Sequence, residues 1–195
     1  MHNELAIEMY NNAEGPAMLV WIDALAGKYD VDYSLDEFMG IEYTVPLFLC
    51  TINEGADPAT GIVAIQRNTP AAPVEAMGYK NFVPYTSSTK VTNAGIAGEV
   101  DFAYANKGGE KKLTELGKKC EQVPGLNHNG YTIAKNVDTD TMRGIVRDII
   151  DSPQMKKWQE GRGYTNDQAT WDYAADLEYL QGQMKLWSGA HKDSK

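Results

Sequence analysis

Phe82-Val-Pro-Tyr-Thr-Ser-Ser-Thr-Lys-Val-Thr-Asn-Ala-Gly-Ile-Ala-Gly-Glu-Val-Asp-Phe-Ala-Tyr-Ala-Asn106 decides how this chain reads. It spells a short buried strand, a hydroxyl-rich loop, a small-residue helix and a second strand, which is the grammar of an α/β protein. The loop sets Thr86, Ser87, Ser88 and Thr89 at the start of a helix. There the unpaired backbone N–H groups and the positive end of the helix dipole favour an anion. Serine and threonine are also the ordinary residues for capping a helix, so this stretch alone reads equally as a plain cap.

Working outward, Leu5–Tyr10 reads as a strand ending at Asn11–Gly15. Pro16 suits the first turn of a helix running to about Ala26, with Leu19, Ile22 and Ala26 on one side and Gly27 as its stop. A strand follows from about Ile41 to Ile52, and Pro46 inside it predicts an edge strand or a crossing between lobes. Asn53–Thr60 is rich in turn residues and marks a hinge; Ile62–Ile65 is a short strand, and a helix begins near Pro73. Lys107–Lys119 reads as a solvated surface helix. After it, Asp138 or Asp140, Ser152-Pro153 and Asn166 or Asp167 each open a helix. In the last of these Tyr173, Leu177, Leu180, Met184 and Trp187 recur at helical spacing, a packing stripe.

The 195 residues carry 43% hydrophobic and 23% charged side chains, ordinary for a globular protein with a substantial core. A net charge of −9 argues against nucleic acid and anionic membranes, whose charge would repel it. It does not exclude a small carboxylate held by local N–H groups. No apolar run approaches membrane-spanning length, and Met1–Leu5 shows no signal peptide. Cys50 and Cys120 have neither CxxC spacing nor a histidine beside them, so no metal or cofactor is expected; whether they pair is open, and Cys50, in the apolar run Val45–Cys50, reads first as a buried small hydrophobe. His2, His128 and His191 are scattered. Nucleotide, hydrolase and zinc-protease motifs are absent, which points away from an enzyme.

The order of these motifs resembles the substrate-binding receptors of tripartite tricarboxylate transporters, the TctC or Bug type. Four stretches carry the likeness: Tyr43-Thr-Val-Pro-Leu-Phe-Leu49; Val83-Pro-Tyr85 with the following helix and Gly98-Glu-Val-Asp-Phe102; Asp151-Ser-Pro-Gln-Met-Lys-Lys-Trp-Gln-Glu-Gly161; and the closing helix with Lys185-Leu-Trp187. The resemblance implies an α/β, type II periplasmic-binding-protein-like fold of two lobes, incomplete at the N-terminus relative to the family. Lobe 1 would comprise 1–50 plus 132–195 and lobe 2, shortened, 51–131, with hinges near 50–56 and 130–136. It also implies a non-enzymatic receptor for a small organic carboxylate, periplasmic, serving membrane transporter subunits without itself entering the membrane. Ligand contacts would come from Thr86, Ser87, Ser88 and Thr89, from Asn68 and Thr69 in the second-lobe loop, and from Asn106. Asn12, Ala13 and Gly15 would contribute at the start of the helix after Pro16. Glu14 beside them would repel a carboxylate unless turned away or protonated.

Two features depart from the family pattern. The lysine and glycine that follow V-P-Y are replaced by Thr86 and Ser87, and Gln66–Thr69 lacks the family's glycines. A second reading follows, in which a shortened binding-protein fold serves as a structural or interaction subunit without ligand.

Overall fold

Side chains in Ala17–Ile22 alternate between exposed and shielded positions, the period of a strand, and this segment is β1. The structure, a computed structural model, describes residues 2–26, 29, 31 and 33–192. In place of the helix expected after Pro16, only Asp23–Ala26 coils, as the single turn α2. Leu19, Val20, Trp21 and Ile22 pair in register with Ile133, Thr132, Tyr131 and Gly130, so β-favouring side chains and ladder bonds outweigh the proline signal. The opposite correction applies just before it. The expected strand Leu5–Tyr10 lies in helix α1, His2–Asn11. Ile7 and Tyr10 are buried while Leu5 and Met9 are exposed, a spacing of three that suits a helix, and Ala, Glu and Met are good helix formers.

The chain divides into two compact units, residues 1–44 with 128–188, and residues 45–127 with 189–195. Two long strands, β2 (Phe38–Thr51) and β6 (Lys119–Lys135), run through the boundaries, and Pro46 falls just past the first crossing.

In the first unit the strand order is β1-β6-β2. One face buries Trp21, Phe38, Ile41, Tyr131 and Ile133 against Ile7 and Tyr10 of α1 and Leu177 and Leu180 of α8 (Tyr173–Lys192). The other buries Met39 and Ala134 against Val146 and Ile150 of α6 (Thr139–Asp151). Helix α7 (Pro153–Arg162) opens at Ser152-Pro153, where Ser152 Oγ accepts from Met155 N. The last helix begins at Tyr173, six residues later than Asp167. The preceding turn is held open by the Asp176 carboxylate, which accepts from Thr170 N, Thr170 Oγ1 and Trp171 N.

In the second unit the order is β2-β5-β3-β4, with β3 (Ile62–Gln66), β4 (Asn81–Tyr85) and β5 (Phe102–Asn106) mutually parallel and β2 antiparallel to β5. The strand expected to be buried at Phe82–Tyr85 is instead the sheet edge β4, with Val83 and Pro84 exposed because no strand covers its outer side, and there the missing N–H of Pro84 costs least. Helix α3 (Ala72–Glu75) is a single turn. Helices α4 (Ser88–Ala97) and α5 (Lys107–Glu115) cover one face, burying Val91, Ala94 and Leu113 against Ala64, Ala103 and Ala105. The surface helix expected over Lys107–Lys119 ends at Glu115, and Lys119 already belongs to β6. Cys50 is bonded to Cys120, a disulfide spanning 70 residues of chain within this unit. Cys50 is thus buried, as expected, but as half of a cystine.

Candidate functional site

Three parallel strands of the second unit end side by side. Gln66 closes β3, Tyr85 closes β4 and Asn106 closes β5. Crevices beyond the carboxyl ends of parallel strands are where open α/β sheets bind their ligands. Every site residue expected from this unit lies at that edge. Asn68 and Thr69 lie in the turn after β3, Thr86 and Ser87 join β4 to α4, Ser88 and Thr89 begin α4, and Asn106 leads into α5.

The local chemistry follows from capping. Ser87 is the N-cap of α4, its Oγ accepting from Lys90 N at 3.3 Å. Asn106 caps α5, its Oδ1 accepting from Gly109 N at 3.0 Å. Each cap satisfies one N–H of its first turn and leaves the preceding ones to solvent or to a ligand. Both helix starts therefore present partial positive charge at one sheet edge. The two helices pack closely enough that a Cβ on Gly109 would come within 2.5 Å of Thr92 Oγ1 on α4.

The turn after β3 makes up for its missing glycines. Asn68 adopts φ +70°, the left-handed region where asparagine is the best-tolerated residue after glycine. Arg67 N donates to Tyr85 O at 2.7 Å and Thr69 N to Gln66 O at 3.0 Å, fixing this turn against the end of β4. Two basic side chains also lie at this edge, one of them already paired with a carboxylate. Lys107 Nζ lies 2.8 Å from Glu110 and 4.8 Å from the centroid of the Phe48 ring, and Arg67 is exposed.

In the first unit, Asn12, Ala13 and Gly15 occupy a different setting from the one expected. They follow the C-terminus of α1 and precede a strand, so no helix starts there. Asn12 N and Ala13 N are already spent on Glu8 O and Tyr10 O. The carbonyls of Ala13 and Gly15 both accept from Asn136 Nδ2 at 3.2 Å. A helix C-terminus is the negative end of the dipole and gives no anion-binding donors of the kind the helix assignment supplied.

Sequence reasoning missed the most perturbed carboxyl of this unit. Asp23, fully buried, accepts from Asn129 N at 3.0 Å and Asn129 Nδ2 at 2.7 Å. Burial pushes its acid up to about 7, against those hydrogen bonds. No motif signals it, because its partner lies 106 residues away. Among the described residues, no group of three His, Cys, Asp or Glu side chains is placed to hold a metal, and no helix is long and apolar enough to cross a membrane.

No protein-family model matches the chain, and no curated protein does. Solved structures do resemble it. The periplasmic binding protein BugD is 12% identical over 95% of this chain and 81% of its own, with a TM-score of 0.57. MatC (Rpa3494) from Rhodopseudomonas palustris, solved with bound malate, is 13% identical over 95% of this chain and 83% of its own, also at 0.57. R. palustris Rpa4515, solved with adipate, is 12% identical over 97% and 82%, again at 0.57. At such identities the likeness shows the fold: this chain has the mixed α/β fold of periplasmic binding proteins, in 195 residues.

Proposed function

We propose that the chain is a periplasmic solute-binding protein that takes a small organic carboxylate and delivers it to a tripartite tricarboxylate-type transporter. The observation that carries this reading is the edge of the second unit, where three parallel strands end at two capped helix N-termini. N–H groups of Ser88, Thr89 and Gly108 and the hydroxyls of Thr86 and Thr69 would receive one carboxylate, without requiring a buried cation. Asn68, Ser87 and Asn106 would hold the loops in place. Malate and adipate, the ligands in two neighbours of the same fold, belong to this chemical class. The Cys50–Cys120 disulfide supports an oxidising compartment such as the periplasm.

A second reading, a structural or interaction subunit without ligand, draws on the first unit. There Asn12, Ala13 and Gly15 follow a helix C-terminus, and Asn12 N and Ala13 N are already bonded to Glu8 O and Tyr10 O.

Thermal unfolding against citrate, succinate, malate, adipate, glutamate and aromatic acids separates the two. A ligand at 100 times its Kd stabilises by about 2.7 kcal/mol, which raises the midpoint of a domain this size by roughly 5–10 °C. A shift for one acid, lost on replacing Ser88 and Thr89 by proline and glutamate, supports the receptor. A folded chain that responds to none of them supports the subunit.

A further inference from the structure

Asp23, Asn129 and Thr44 are almost completely excluded from solvent, at 0, 0 and 3% exposure. They form one chain of hydrogen bonds inside the first unit. Ala24 N and Asn129 N donate to Asp23 Oδ1 at 2.7 and 3.0 Å, and Asn129 Nδ2 donates to Oδ2 at 2.7 Å. The other end of the same amide, Asn129 Oδ1, accepts from Thr44 Oγ1 at 2.9 Å and from Tyr179 OH at 3.3 Å. Thr44 is the last residue of β2 in this unit, and Asn129 is the second residue of β6 within it. The cluster thus ties together both strands at the points where they leave the unit.

This pattern suits an ionised Asp23 only. A proton on Oδ2 would face the Asn129 NH2 group donor to donor at 2.7 Å, an arrangement a buried site does not tolerate. One half-turn of the amide removes the conflict. Its oxygen then accepts from Asp23 Oδ2–H, and its nitrogen donates to Thr44 Oγ1 and Tyr179 OH, both able to accept once their hydroxyl hydrogens rotate away.

We propose that Asp23, Asn129, Thr44 and Tyr179 form a proton-operated switch. One proton gained by Asp23 reverses the hydrogen-bond direction through the Asn129 amide and so alters how β2 and β6 are tethered where they leave the unit.

The surroundings leave Asp23 as the group that changes charge. Tyr33, Tyr43 of β2 and Tyr131 of β6 all face its carboxyl, and burial pushes each phenol up, Tyr33 and Tyr43 to about 12, so they stay neutral. Glu42, also on β2, is engaged by Thr132 Oγ1, and Asp176 on α8 by the Thr170 and Trp171 amides. His128, beside Asn129 on β6, is pushed down to about 4 and stacks on Trp187 of α8 with ring centroids 4.1 Å apart. Desolvation leads the causes at Asp23, ahead of four opposing hydrogen bonds, and places its midpoint near neutrality at about 7.

The test is a pH titration of the uniformly labelled full chain by NMR, with both side chains assigned through their own backbones. The Asp23 carboxyl carbon and the Asn129 side-chain nitrogen should move together, with one midpoint near 7. In Asp23→Asn the Asn129 signal should sit at its acid-form position at every pH. An Asp23 carboxyl that titrates while the Asn129 amide stays still would overturn the switch, as would an Asp23 that remains ionised down to pH 5. The unmodified chain decides this by itself, so the outcome does not depend on the variant folding.

Discussion

Two groups of the first unit should oppose each other in acid. Asp23 has a folded-state acid near 7 against an ordinary 3.8, raised chiefly by desolvation. Its folded form binds the extra proton, so its contribution is complete below about pH 4 and is lost as pH rises through 7. The interval between the two values is worth about 4 kcal/mol. His128 runs the other way. Its imidazole is pushed from 6.5 down to about 4 by burial, so stability drains as pH falls through 6.5 and is lost by about 4. That interval is worth at most about 3 kcal/mol, an upper bound because the ring keeps some contact with solvent. Between pH 4 and 6.5 the slopes nearly cancel, and the wild type should show an almost flat urea-unfolding profile. Single substitutions should uncover the hidden terms. Asp23→Asn should become more stable with rising pH across this window, by up to about 3 kcal/mol. His128→Phe, which preserves an aromatic partner for Trp187, should become less stable over the same range. Asp101 and Asp138, whose acids are lowered by their hydrogen bonds, add stability that begins to be lost as pH falls toward the lower end of the window, equally in the wild type and both variants. Parallel pH profiles for the wild type and both variants would refute the reasoning.

Reducing the Cys50–Cys120 bond, or replacing both residues by alanine, should cost about 4 kcal/mol on loop-closure grounds for a separation of 70 residues. Denaturant melts with and without reductant measure this, and two reactive thiols in the oxidised protein would show the bond absent. Gly130→Ala should cost about 3 kcal/mol. The new Cβ would fall 2.2 Å from the Tyr43 ring, which is hemmed in by Tyr164 and Trp158 at 5.3 and 5.6 Å. An unchanged melting midpoint would contradict that packing. Ser87→Ala and Asn106→Ala should each cost about 1 kcal/mol by uncapping α4 and α5, and their thermal shifts should add.

Residues 82–106 were legible as strand, cap, helix and strand because each signal there is local. Short apolar runs mark the strands, hydroxyls mark the cap, and Gly98 ends the helix at φ +71°. The capped starts of α6 and α7 at Asp138 and Ser152 are local in the same sense. Where local signals conflict, tertiary partners decided. Pro16 advertised a helix, but the strand Ala17–Ile22 exists because β6 offers it a ladder over a hundred residues away. That strand, Lys119–Lys135, was itself hidden, since Pro124, Gly125, Asn127 and Asn129 disfavour strands and it is held by its neighbours in the sheet. The side-by-side ends of β3, β4 and β5, the reach of Asn129 to Asp23 and the pairing of Cys50 with Cys120 all join residues far apart in the chain. Backbone sterics, capping and hydrophobic period act over a few residues and can be read from the chain. Register, burial and the proton affinity of a buried acid depend on which distant segments arrive beside them, and only the tertiary structure supplies that.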